Sequence, residues 1–73
     1  MAENQKDLIE VDGEVQEMLP AGLFRIKLGS GQVILGHLSG KMRINKIRLI
    51  VGDHVKVQMT PYDLTKGRIV YRY

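Results

Sequence analysis

The 73-residue chain contains no cysteine. Disulfide bridges, thiolate metal sites and cysteine nucleophiles are therefore excluded. Because secreted domains of this size usually need such cross-links for stability, the composition predicts a protein of the reducing cytoplasm. The polar segment 1–7 lacks the apolar stretch of a signal peptide, and no apolar run approaches the ~20 residues of a membrane span. No membrane association is expected.

Residues suited to catalysis are also scarce. His37 and His54 are the only histidines, and neither belongs to a metal-binding or metalloprotease motif. The serines and threonines have no general base at a recognisable spacing. A chain this short buries only about 60% of its unfolded surface, so a substrate-enclosing cavity would compete with the core for apolar side chains. We therefore predict a binding module that has no enzymatic activity, no cofactor and no metal site.

The net charge of +3 conceals a strong segregation of acidic and basic residues. Residues 1–17 carry six acids and one base, a net −5, whereas residues 18–73 carry ten bases and two acids, a net +8. A basic body beside an acidic edge is typical of a protein that meets a polyanion on one side. From charge alone, a solvated surface that merely segregates its charges is an equally good explanation.

Polar and apolar residues alternate in five segments, as expected for half-buried strands. The predicted strands cover 9–16, 24–28, 32–38, 55–59 and 66–73. Turns are predicted at 19–22, 29–31 and 51–53, and a longer loop at 60–65. In the first strand, Gly13 is expected to mark a bulge or a sharp bend. In the last strand, alternation places Ile69 and Tyr71 on one face and Arg68 and Arg72 on the other.

A short helix is predicted between the third and fourth strands. Ser39 is a good cap for a helix over about 40–46. At about 100° per residue, Ile44 and Ile47 share a face that would cover the barrel end, while Met42 falls on the cationic side.

These elements predict an all-β fold, a five-stranded Greek-key barrel of the OB type with one short helix between strands three and four. Five antiparallel strands avoid exposed edges by closing into a barrel. An SH3-like barrel is the main competitor, but it lacks a helix at this point. Residues 8–73 are expected to form this single domain, preceded by a flexible segment at 1–7.

Two clusters of basic residues are candidates for RNA binding. The first consists of Lys41, Arg43, Lys46 and Arg48, and the second of Lys66, Arg68 and Arg72. On a regular strand, Arg68 and Arg72 would lie on one face about 13 Å apart, a spacing suited to backbone phosphates. The alternative is an edge strand that its charges protect from aggregation.

Three further side chains have open interpretations. Met42 is expected either to press against an unstacked base or to fill a gap in the core. His37 is interpreted as a base or phosphate contact, or as an ordinary half-buried histidine. Tyr62 would either stack on a base or cap the barrel. Phe24 is the only aromatic residue near strands two and three and points inward, so recognition should rest on phosphates and the shape of a folded RNA.

Several longer strings of residues are more specific than any OB pattern. They are Ser39-Gly40-Lys41-Met42-Arg43, Ile47-Arg48, Gly52-Asp53-x-Val55-x-Val57, Pro61-Tyr62-Asp63-Leu64 and Lys66-Gly67-Arg68-Ile69-Val70-Tyr71-Arg72. From about Ile9 to Arg72 the chain resembles bacterial translation initiation factor one, a family with an S1-like OB fold. It departs from the usual family residues at Gln32, Gly36, Lys46 and Val51.

The resemblance implies a factor that binds the aminoacyl (A) site of the small ribosomal subunit. There it would contact the decoding region of the ribosomal RNA beside a ribosomal protein, assist initiation factors two and three, and help initiator tRNA selection. The matching positions that would touch RNA are Lys41, Met42, Arg43, Arg48, Lys66, Arg68 and Arg72. The protein is expected to be a monomer when it is not bound to the ribosome. The alternative function is a general RNA chaperone of the cold-shock type.

Overall fold

Strands form where the sequence alternates, as seen in a computed structural model that describes residues 8–73. In chain order the elements are β1 (Ile9–Leu19), a 3-10 turn (Pro20–Gly22), β2 (Leu23–Leu28), β3 (Val33–Leu38), α1 (Gly40–Ile44), β4 (His54–Thr60) and β5 (Asp63–Arg72). The strands close into a barrel in the order β1-β2-β3-β5-β4. The predicted all-β, five-stranded barrel with a helix between β3 and β4 is confirmed. The predicted flexibility of residues 1–7 concerns a segment outside the described residues.

The direction of one strand pair differs from the prediction. Pairs β1–β2, β1–β4, β2–β3 and β4–β5 are antiparallel, but β3 and β5 run parallel. The chain leaves β3 through α1 and then forms the β4–β5 hairpin, so β5 returns in the direction of β3. The parallel pair closes the barrel, and α1 contacts both of its strands.

The core consists of the side chains that alternation places inside the barrel. From β2 and β4 these include Phe24, Ile26, Val55, Val57 and Met59, all buried as predicted. Burial of such apolar area is the main favourable term in folding a chain of this size.

The β4–β5 connection is tighter than the predicted loop over 60–65. Thr60 pairs with Asp63, which leaves only Pro61 and Tyr62 in the turn. The Asp63 carboxylate accepts hydrogen bonds from the Thr65 backbone N–H (3.0 Å) and hydroxyl (2.6 Å). These bonds lower the pKa of Asp63 below its ordinary value. β5 therefore begins three residues early, although its pairing with β4 is irregular between Asp63 and Arg68.

The bulge in β1 lies three residues beyond the predicted position. Pairing with β2 shifts between Val15 and Glu17, so Gln16 is the extra residue. Gly13 is instead buried at a close approach, where a Cβ atom would stand 2.6 Å from Ile26 Cγ2. Within residues 8–73, no helix is long and apolar enough to cross a membrane.

Candidate nucleic-acid interface

The short helix α1 is set by its cap and by the backbone just after it. The Ser39 hydroxyl accepts a hydrogen bond from the Met42 backbone N–H at 3.2 Å, as the capping prediction requires. The helix ends at Ile44, two residues before the predicted end. Lys46 adopts a φ of 55°, a left-handed conformation that no helix continues through.

The apolar side chains of α1 are arranged opposite to the prediction. Met42 is 5% exposed and belongs to the core, whereas Ile44 is 80% exposed. Ile47 packs against the core as expected, but it follows the left-handed turn, so helical spacing no longer relates it to Ile44. The placement of Met42 among the cations is therefore wrong, and its burial favours the gap-filling interpretation. An RNA contact by Met42 stays a prediction.

A second bulge lies in β5. Ile69 pairs with Val57, but Tyr71 pairs with Lys56, the adjacent residue of β4. Val70 is therefore an extra residue. A bulge changes the phase of alternation, so side chains after Val70 point to the opposite face from the one expected.

This bulge separates the two arginines of β5. Arg68 pairs with the outward-facing Gln58, whereas Arg72 pairs with the buried Val55. The prediction that Arg68 and Arg72 share one face is wrong. The prediction that Tyr71 points inward is also wrong, because its side chain is 56% exposed.

The first site, here called the α1–β5 cleft, has a volume of about 300 Å³. It is lined by Lys41, Met42, Asn45, Ile47, Val70, Tyr71 and Arg72. The Arg72 guanidinium donates a hydrogen bond to the Arg48 carbonyl at 3.0 Å, which holds it at the rim. Tyr71 packs edge-on against Tyr73, with ring centroids 5.3 Å apart. Two cations beside an exposed aromatic ring suit a nucleotide, with its phosphate on the cations and its base on the ring.

The second site, here called the histidine groove, lies on the other side of α1. His37 and Arg68 are neighbours in the parallel β3–β5 pair, and Arg43 of α1 lines the same depression. The groove continues along β5 past Lys66 to Asp63. Partial desolvation, followed by the positive charges of Arg43 and Arg68, lowers the pKa of His37, which favours the neutral imidazole. Its side chain is nevertheless exposed beside the two cations rather than half-buried.

The clefts divide five of the predicted cations into two groups: Lys41 and Arg72 line the α1–β5 cleft, and Arg43, Lys66 and Arg68 line the histidine groove. Lys46 and Arg48 line neither cleft. Lys41 lines one cleft and Arg43 the other, because side chains two positions apart on a helix point in directions about 200° apart. The two groups do not form one continuous cluster, since α1 stands between them.

The acidic strand β1 neutralises a different set of cations. Arg25 forms a salt bridge with Glu17 at 2.8 Å, and Lys56 lies 3.9 Å from Glu10. Across the described part of the chain, no acidic group lies within salt-bridge distance of the predicted RNA-binding cations, and all of them are exposed. These cations are Lys41, Arg43, Lys46, Arg48, Lys66, Arg68 and Arg72. The same residues 8–73 hold no group of three His, Asp or Glu side chains placed to bind a metal ion.

Two remaining side chains complete the surface. Tyr62 is 82% exposed, so it does not cap the barrel, and a base contact stays a prediction. Tyr71 was missed by the sequence reasoning. A signal for it exists, because Ile69-Val70-Tyr71 is three apolar residues in a row, which breaks strict alternation and marks a bulge.

Comparisons with known proteins agree with this architecture. Residues 2–73 match the family model "Translation initiation factor 1A / IF-1". The solution structure of translation initiation factor one from the Wolbachia endosymbiont strain TRS of Brugia malayi is 47% identical, with a TM-score of 0.78. That match covers 100% of this chain and 88% of the other.

Two larger proteins contain a similar barrel. They are YjeQ from Thermotoga maritima (26% identity, TM-score 0.71) and YloQ, a circularly permuted GTPase (24% identity, TM-score 0.72). Each match covers 89% of this chain but only 23% of the other protein. The likeness to YloQ shows the fold alone. Because the family model matches nearly the whole chain, the chain belongs to the translation initiation factor 1A / IF-1 family.

Proposed function

We propose that the protein binds the A site of the small ribosomal subunit through contacts with ribosomal RNA. There it assists initiation factors two and three and the selection of initiator tRNA, beside a ribosomal protein. It acts as a monomer in the cytoplasm, without catalysis. The family membership and the 47% identity to a bacterial initiation factor one support this role.

The observation that carries the proposal is the contrast between two groups of cations. Arg25 and Lys56 are engaged by acids of β1, whereas the cations around α1 and β5 face solvent without such partners in residues 8–73. Cations that neutralise phosphates release condensed counterions, which supplies much of the affinity for RNA. Seven cations that have no salt-bridge partner within residues 8–73 are suited to that task.

The arrangement of the two clefts supports recognition of a folded RNA. The α1–β5 cleft and the histidine groove lie on opposite sides of α1, so one nucleic-acid segment passes on each side of the helix. Two separated segments at a fixed spacing are a feature of folded RNA, which proteins recognise largely by its shape. Phosphate contacts then position the barrel, and the exposed ring of Tyr71 is available to one unstacked base.

The alternative of a cold-shock-like chaperone finds less support in the surface. Such proteins stack successive bases on aromatic side chains of the second and third strands. In this chain Phe24 is buried, and β2 and β3 carry no other aromatic residue. Stacking along a single strand therefore has no platform on these two strands.

Footprinting on isolated small subunits tests the proposal. Bound protein should protect ribosomal RNA only around the A site, and Arg43→Ala and Arg68→Ala should weaken that protection without lowering the melting temperature. Arg25→Ala is the matched control, because its guanidinium is held by Glu17. Protection spread over the whole subunit would favour the chaperone and contradict a fixed site.

A further inference from the structure

Three side chains from three different elements converge on the histidine groove. His37 comes from β3, Arg43 from α1 and Arg68 from β5. Among residues 8–73, no carboxylate lines the part of the groove that contains Arg43. Such a set of nitrogen atoms is chemically matched to the oxygens of one phosphate group, which accept bonds from guanidinium and imidazolium donors.

We propose that the histidine groove holds one phosphate group between Arg43, Arg68 and His37, and that His37 binds a proton as the phosphate enters. The inference rests on the proposed function, in which the phosphate is a phosphodiester of ribosomal RNA. Inorganic phosphate is the other source of the same chemistry. The step is a simple proton uptake from solvent, so that the neutral imidazole becomes an imidazolium donor.

The electrostatics of the groove reverse when an anion binds. In the unliganded protein, burial and the positive charges of Arg43 and Arg68 lower the pKa of His37. A bound phosphodiester carries one negative charge, which offsets one of the two guanidinium charges, and its oxygens add a hydrogen-bond acceptor. The imidazolium form of His37 is therefore more favourable than in the unliganded protein. The other polar groups lining the extended groove are Lys66 and Asp63 of β5 and Gln58 and Thr60 of β4, besides Ser39 at the start of α1. The Asp63 carboxylate already accepts a hydrogen bond from Thr65, which lowers its pKa, so it stays ionised near neutral pH.

The sign of the pH dependence follows directly. Since the bound state holds His37 protonated more readily than the unliganded state, binding takes up a proton. Affinity must then rise as the pH falls through the interval between the two pKa values of His37. A shift of one pKa unit on binding corresponds to at most about a tenfold gain.

The first experiment measures binding of fluorescently labelled protein to isolated small subunits at pH 8.0 and pH 6.0. We expect binding to be about three- to tenfold tighter at pH 6.0. His37→Gln should remove this difference while remaining folded, since the side chain is exposed. His54→Gln is the matched control and should retain the difference, because His54 lies on β4 beside Glu14 and outside the groove.

The outcomes separate this inference from the proposed function. Salt-dependent binding that is equally tight at both pH values would overturn the inference and leave the proposed function standing. A pH difference that survives in His37→Gln would also overturn the inference. Absence of subunit binding at either pH would contradict the proposed function instead, and the second experiment would then decide the inference.

The second experiment follows the imidazole resonances of His37 by NMR during pH titration. The dinucleoside monophosphate ApA is the phosphodiester probe, and inorganic phosphate is the competing source. ApA should raise the pKa of His37, and Arg68→Gln should abolish the response. If only inorganic phosphate raised the pKa of His37, the assignment to RNA would be overturned. If neither probe raised it, the proposed phosphate site itself would be overturned.

Discussion

At the residue scale, the side chain that enters the core is chosen by the backbone and not by hydropathy. Met42 and Ile44 are both apolar and lie two positions apart in α1, yet only Met42 is buried. The Ser39 cap fixes where the helix begins and therefore which residue faces the barrel. The resemblance of Met42 to an RNA-contacting position does not alter its place in the core.

Substitution of these two residues distinguishes core from surface. Met42→Ala removes a buried side chain and should lower the free energy of unfolding by about 2–5 kcal/mol. Ile44→Ala, the matched control on the same helix, should change it by less than about 0.5 kcal/mol. Urea denaturation monitored by circular dichroism measures both values. A larger loss for Ile44→Ala than for Met42→Ala would contradict the packing described here.

A hydrogen bond between β1 and the last residue gives a residue-level pH prediction. The Tyr73 hydroxyl donates to the Asp12 carboxylate, and this bond raises the pKa of Tyr73 to about 12. Because folding favours the protonated phenol, this contribution to stability is present below the ordinary tyrosine pKa of about 10. It is lost as the pH rises through about 12. Asp12→Asn should lower the phenol pKa in a spectrophotometric titration, whereas Glu14→Gln should not.

At the element scale, alternation predicted the strands but not their faces along their whole length. Inward positions in β2 and β4 are as predicted because these strands contain no extra residue. In β1 and β5, Gln16 and Val70 are bulged, and each shifts every later side chain to the other face. A bulge depends on how a strand pairs with a distant partner, so local patterning gives it only weak signals.

The arrangement of the candidate site also depends on long-range pairing and on local backbone conformation. The identity of the cations follows from their density in the sequence and from the family resemblance. Their grouping depends on the Val70 bulge and on the left-handed backbone of Lys46. Sequence reasoning therefore named the basic side chains but placed Arg68 and Arg72 together, when each lines a different cleft. The parallel pairing of β3 with β5 was likewise a long-range property.

The β3–β5 pair contains two neighbouring glycines that leave room for core side chains. Gly36 of β3 pairs with Gly67 of β5, and both are buried. A Cβ atom on Gly67 would stand 2.3 Å from Val57 Cγ1, a β-branched side chain with little freedom to move. Neither position has room for a side chain, because Ile26 and Val57 occupy the space beneath the two glycines.

Gly67→Ala should therefore destabilise the barrel by overpacking. We expect a loss of about 1–3 kcal/mol in the free energy of unfolding. Gly29→Ala is the matched control, since a Cβ atom there meets nothing within 4 Å. Thermal unfolding of both variants measures the difference. Equal melting temperatures for Gly67→Ala and the unsubstituted protein would contradict a packed closure at this point.

At the scale of the whole molecule, the acidic strand β1 determines which cations remain available. Its carboxylates engage Arg25 of β2 and Lys56 of β4, the strands that flank it in the barrel. The β3–β5 pair and α1 lie beyond their reach. The barrel is therefore neutralised on one side and positive on the other, although its net charge is only +3. A molecule of this kind presents one face to a polyanion.

Salt dependence tests whether this positive side is the interface. If about four to six phosphates are neutralised, log affinity for small subunits against log salt should fall with a slope of roughly −3 to −5. Arg43→Gln removes one contact and should reduce the magnitude of the slope by about 1. Arg25→Gln carries the same change of charge, but Glu17 already holds that guanidinium at 2.8 Å, so its slope should equal that of the unsubstituted protein. If both variants lowered the slope equally, net charge would govern binding rather than the cations around α1 and β5.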